Sequence, residues 1–164
     1  MNTKELSAFI TIVGRPNVGK SSILNRLLGE KIAIVTNKPQ TTRTRIMGVL
    51  TEGEYQLVFT DTPGMHKART ALGKYMIKSV TESVSGADGA LLVIDATEEI
   101  SDTERELLER INSLKMPCVL AINKIDIIKE KSDLMKLILD YSKLCDFAAV
   151  VPVSAKKGEG MDEL

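Results

Sequence analysis

The 164 residues predict an α/β fold: a doubly wound, mostly parallel six-stranded sheet with one antiparallel edge strand and helices on both faces. Three observations carry this. Apolar runs of strand length alternate with stretches of helical periodicity, most of the runs are continuously apolar as in strands buried on both faces, and two short β-rich runs flank a glycine turn.

In chain order, 8–13 (AFITIV) reads as a buried strand, followed by Gly14-Arg15-Pro16-Asn17-Val18-Gly19-Lys20-Ser21 and a helix whose apolar residues are Ile23, Leu24, Leu27 and Leu28. After a polar stretch from Asn37 to Arg45, the runs 46–51 and 55–60 flank Glu52-Gly53-Glu54 and predict a hairpin. Residues 72–84 repeat Leu72, Met76, Ile77, Val80 and Val84 at helical spacing, and 89–94 is the next strand. Ser101 with Glu104 three residues later is a capping-box signature, opening a helix with Leu107, Leu108, Ile111 and Leu114 on one face and Pro117 beyond its end. Strand 118–122, a helix carrying Leu134, Leu137, Ile138, Tyr141 and Leu144, and strand 148–153 complete the order. The terminal Gly160-Met161-Asp162-Glu163-Leu164 reads as the first turn of another helix, so residues 1–164 are expected to be one domain from which a final helix is missing.

With 43% hydrophobic and 27% charged residues the composition is that of an ordinary folded domain. The 22 basic and 22 acidic side chains balance, so no global charge directs the chain to nucleic acid or membrane, and such a partner needs a local patch or another domain. Cys118 and Cys145 lack metal-site or C-x-x-C spacing and read as reduced packing residues, which fits a cytoplasmic setting.

The segment Gly14 to Ser21 matches G-x-x-x-x-G-K-[ST] and sits between a strand and a helix, the context that this phosphate-binding motif requires. Glycines let backbone N–H groups converge on phosphate oxygens, Lys20 adds a point charge, and the helix opening through Ser21 and Ser22 directs its positive end at the anion. Ser21 supplies a hydroxyl for magnesium. Asp61-Thr62-Pro63-Gly64 follows a strand, placing Asp61 to hold magnesium through water and the Gly64 N–H to meet a γ-phosphate. Asn123-Lys124-Ile125-Asp126 selects the base: Asp126 can accept from guanine N1–H and its 2-amino group, donors that adenine lacks there. The competing reading of Asp126 is a solvated helix-capping residue. Ser154-Ala155-Lys156 would pass a backbone N–H to guanine O6 and flank the ring with Lys156. Within 39–45 (PQTTRTR), Thr42, with Thr41 next, is placed to close on magnesium and the γ-phosphate, while Arg43 and Arg45 read as a solvated loop.

These five motifs, in order, resemble the G domains of translation-factor-class GTPases over nearly the whole chain. The run Gln40-Thr41-Thr42-Arg43, Met65-His66 after Gly64, and Ser154-Ala155-Lys156 narrow the resemblance to the bacterial Era family; relatives such as Der and MnmE usually carry Thr-Arg-Asp, where Thr44 stands here. The resemblance implies GTP/GDP as substrate and product, magnesium as cofactor, and a switch role in small ribosomal subunit assembly. It also implies a separate C-terminal KH domain that binds 16S rRNA, a monomer, and a cytoplasmic protein peripheral at the inner face of the cell membrane. Ras-like proteins place a water-orienting glutamine where Met65 stands, so slow intrinsic hydrolysis is expected. Asn17 corresponds to an asparagine that the Era-related class associates with potassium, which makes it a catalytic candidate beside Lys20, Thr42 and Gly64. His66 is read as a solvated or partner-contacting switch residue rather than a general base. The alternatives are a guanine-nucleotide module with negligible turnover, a Der- or MnmE-like GTPase of large-subunit assembly or tRNA modification, and a P-loop ATPase or kinase, which Asn123, Lys124 and Asp126 disfavour.

Overall fold

The computed structural model describes residues 6–29, 45–61 and 87–164, which contain a six-stranded sheet in the order β2-β3-β1-β4-β5-β6. Its strands are β1 (Leu6–Val13), β2 (Arg45–Glu52), β3 (Tyr55–Asp61), β4 (Gly89–Asp95), β5 (Cys118–Asn123) and β6 (Ala149–Pro152). The helices are α1 (Lys20–Leu28), α2 (Asp102–Ser113) and α3 (Lys131–Ser142), with a 3-10 turn at Ile125–Ile127. All neighbouring strands are parallel except β2 with β3, the hairpin expected around Gly53, whose φ of 61° a glycine adopts without strain. The helix expected over 72–84 lies outside the described residues.

Alternate residues of the central strands divide between two cores. Leu92 and Ile94 of β4 and Leu120 and Ile122 of β5 pack with Leu107, Leu108 and Ile111 of α2 and Tyr141 of α3. Leu91 and Val93 of β4 and Ala121 of β5 face the other way, against Ile23, Leu24 and Leu28 of α1. Every residue of β4 is buried, as the apolar run 89–94 requires, and the burial extends to the terminal Asp95. Leu134, Leu137, Ile138 and Leu144 are partly buried against the first core, with Leu144 lying beyond the end of α3. Where α1 crosses β2, a Cβ on Gly48 would stand 2.2 Å from Leu28 Cδ1, so the glycine admits the helix.

The capping box at the start of α2 forms in both directions: Glu104 N–H donates to Ser101 Oγ and Ser101 N–H to a Glu104 carboxylate oxygen. Both cysteines are free and buried, and burial, with Cys145 nearby, pushes the Cys118 thiol up to about 12, so it packs as an inert protonated group. Residues 160–163 form a turn closed by Glu163 N–H to the Gly160 carbonyl. Because β1 lies between β3 and β4, successive connections leave this edge in opposite directions, and such a crevice at the carboxyl ends of the strands is where open α/β sheets bind ligands.

Candidate functional site

At those carboxyl ends the segment 14–19 links β1 to α1 and borders a cleft of about 1200 Å³. Gly14 is fixed by proximity, since a Cβ there would lie 2.4 Å from the Val93 carbonyl oxygen. Asn17 has φ 65° and Gly19 φ 99°, both left-handed, so the chain doubles back before entering the helix. Gly19 is the N-cap of α1 and provides no side-chain cap, and no acidic residue lies in the first turn. The first turn of α1, which receives no bond from an N-cap side chain, borders the cleft with the positive end of the helix behind it. Lys20 Nζ donates to the carbonyls of Gly14 at 2.7 Å and Arg15 at 3.1 Å, holding its ammonium across the mouth of the loop. Pro16, Asn17, Ser21 and Ser22 line the cleft, whereas Val18 is buried in the core beneath.

Asn123 joins three segments that are distant in sequence. It is 3% exposed at the end of β5; its Nδ2 donates to the Val18 carbonyl at 2.9 Å and its Oδ1 accepts from the Ala155 N–H at 3.0 Å. A Cβ on Gly19 would lie 2.2 Å from that Nδ2, so the second loop glycine is required by the asparagine as well as by its own dihedral. Lys124, at φ 68°, donates from Nζ to the Asn17 carbonyl at 2.8 Å and to Asp95 Oδ2 at 2.6 Å. Both side chains thus brace the phosphate-type loop from below.

Asp126 lies inside the 3-10 turn, whose N-cap is Lys124, so it does not fill the helix-capping role that competed with base recognition. Ser154 Oγ donates to Asp126 Oδ1 at 2.7 Å. That bond, opposed in part by lost hydration and aided by Lys157 and Lys156, holds the Asp126 carboxyl below its ordinary range. At neutral pH it is ionised and acts only as an acceptor. Of the three residues Ser154-Ala155-Lys156, Ser154 N–H binds the Glu159 carbonyl and Ala155 N–H binds Asn123, leaving the Lys156 N–H without an internal acceptor among the described residues. The backbone of Asp61 pairs with Ile12 at the end of β3, one strand over from the loop. Thr41, Thr42, Arg43, Thr62, Pro63, Gly64, Met65 and His66 lie outside the described residues.

Sequence reading missed several participants. Asp95, 6% exposed at the end of β4, accepts from Thr97 N–H and Oγ1 as well as Lys124. Burial alone would raise its pKa, but these donors outweigh it and hold the carboxyl below its ordinary value. An acid at the carboxyl end of a parallel strand was the available signal. The Arg15 guanidinium pairs with Glu98 and, at 3.4 Å, with Glu104 of α2. Glu104 is 1% exposed, and burial together with this carboxylate pushes the titration of the Tyr141 hydroxyl far above the ordinary range. No local pattern names these acidic partners of the Arg15 side chain. On α1, Arg26 donates to the carbonyls of Ala155 and Lys156, both at 2.8 Å.

The family model described as 50S ribosome-binding GTPase matches residues 9–124, which include the loop, the strand to Asp61 and Asn123-Lys124. The chain belongs to this GTPase family. It is similar to GTPase Era of Clostridioides difficile, 46% identical over 158 residues, which are 96% of this chain and 53% of that protein. The chain thus spans about half the length of the curated relatives it matches. Among solved structures, Era in complex with MgGDPNP and nucleotides 1506–1542 of 16S ribosomal RNA superposes with a TM-score of 0.74 at 38% identity, covering 96% of this chain and 54% of that one. An Aquifex aeolicus Era variant bound to GDP.AlF4- gives 0.73 at 39% identity, with the same two coverages.

Proposed function

We propose that this chain is the G domain of an Era-type GTPase: it binds GTP and GDP with magnesium, hydrolyses GTP slowly, and acts as a switch in small-subunit assembly. The observation that carries the reading is the Asn123 junction. It ties the uncapped end of α1, suited to phosphates, to the loop that follows β6, so an ionised Asp126 and a phosphate cradle border one cleft. An acceptor-only carboxylate matches the N1–H and 2-amino donors of guanine and is left unpaired by adenine. Ser21 and Asp61 would hold magnesium, with Thr42 joining them; Ser21 lines the cleft and the Asp61 backbone ends the adjacent strand, positions that fit the ion. Lys20, the Gly64 N–H and magnesium would neutralise charge on the phosphates during attack of water.

Potassium at Asn17 is part of the same proposal. Asn17 is exposed at the cleft, and its backbone is fixed from beneath by Lys124. A cation there would compensate for Met65, which cannot orient water. The contact with 16S rRNA is assigned to a KH domain outside these residues, supported by the Era structure that holds such RNA; peripheral membrane contact and a monomeric state follow from the same resemblance. No helix among the described residues is long and apolar enough to cross a membrane.

A guanine-nucleotide module with negligible turnover is the second reading, and Met65 favours it. Single-turnover hydrolysis of GTP with magnesium and potassium separates the two. Release of phosphate at a measurable rate supports the GTPase; stoichiometric GTP still intact after hours contradicts it.

A further inference from the structure

We infer that Arg26 is a positioning residue for base recognition, holding two peptide planes of the loop after β6 so that the Lys156 N–H is presented to a guanine O6. The inference rests on the guanine-nucleotide reading proposed above. Arg26 Nε donates to the Ala155 carbonyl and Nη2 to the Lys156 carbonyl, each at 2.8 Å, across 129 and 130 residues of sequence. A guanidinium offers these donors in one plane, so it fixes two successive carbonyls together.

Fixing a carbonyl fixes more than its oxygen. In a trans peptide the C=O of one residue and the N–H of the next belong to one planar unit and point in opposite directions. With the Ala155 and Lys156 carbonyls both turned to Arg26, the N–H groups of Lys156 and Lys157 both point away from it. The direction is marked by the second: Lys157 N–H reaches Ser154 Oγ at 3.2 Å, and that hydroxyl donates to Asp126 at 2.7 Å. The first, Lys156 N–H, has no internal acceptor among the described residues and belongs to a residue lining the cleft beside Asp126. One N–H thus supports the carboxylate that would read N1–H, and its neighbour remains available to an oxygen acceptor on the same base edge. Gly158, whose φ of 81° favours glycine, lies beside the guanidinium, and a Cβ on it would be in ordinary contact with Arg26 Nη1 at 3.4 Å.

The test is equilibrium titration of the full chain, in magnesium, with GDP and with 6-thioguanosine diphosphate, which keeps N1–H and the 2-amino group but replaces O6 by a poor acceptor. The unmodified chain is expected to favour GDP by about five- to tenfold, one hydrogen bond's worth. Arg26→Ala is expected to weaken GDP by a similar factor and to leave the thio analogue within about twofold, because the lost bond is one that the analogue never made. Arg26→Lys, which can reach one carbonyl but not both in plane, falls between and carries the test if Arg26→Ala does not fold. Equal loss for both ligands, or no loss for either, overturns the role of Arg26. Failure of the unmodified chain to bind GDP overturns the guanine reading itself.

Discussion

Asn123→Ala is the substitution whose cost follows most directly from the site. The side chain is 3% exposed and makes two hydrogen bonds, to the Val18 carbonyl and from the Ala155 N–H. Alanine removes both partners at once and leaves a carbonyl and an amide facing a gap. Each orphaned buried group costs about 1–3 kcal/mol, so a loss of about 2–4 kcal/mol is expected if water enters the gap only in part. For a domain of this size about 2–4 °C accompanies each kcal/mol, so the unfolding midpoint should fall by about 5–15 °C. Urea unfolding followed by circular dichroism measures the first figure and a thermal scan the second. GDP affinity should fall as well, because the two loops the residue joins would border the same ligand. A stability change below about 0.5 kcal/mol, the level of an ordinary surface substitution, would show that Asn123 does not hold the two loops together.

Three further outcomes are expected. Asp126→Asn should lower GDP affinity by roughly a hundredfold and raise affinity for xanthosine diphosphate, whose 2-oxo group accepts where guanine donates; nucleotide competition measures both. Asp95→Asn should destabilise the chain at pH 7, because the native carboxyl is held below its ordinary pKa and so stabilises the fold above that range. The gap to the unmodified chain should close as the pH falls below about 4, and unfolding midpoints across pH 3–7 would show it. GTP hydrolysis should be faster in potassium than in sodium, and Asn17→Ala should abolish the difference; equal rates in the two salts for the unmodified chain contradict the assignment.

The alternation of elements and the hairpin were legible because continuous apolar runs, helical stripes and a glycine turn each force a local conformation. Ser101 and Glu104 were legible as a cap for the same reason, their partners being three residues apart. The loop at 14–21 could be read because its glycines answer a backbone constraint that the sequence displays. Roles set by distant partners could not be read. Arg15 turns to Glu104 and Arg26 to Ala155, across 89 and 129 residues, and nothing beside either residue names its acceptor. Asn123 and Lys124 line the cleft, and the bonds the structure gives them go to Val18, Ala155, Asn17 and Asp95, partners that no neighbouring residue names. Asp95 was passed over because it ends an apolar strand without a motif around it.

Calorimetric titration of the chain with GDP and with ADP, both in magnesium, measures whether Asp126 selects guanine. Tight, saturable binding of GDP with no detectable binding of ADP is expected, since only guanine offers Asp126 two donors. Comparable affinity for the two nucleotides would contradict it.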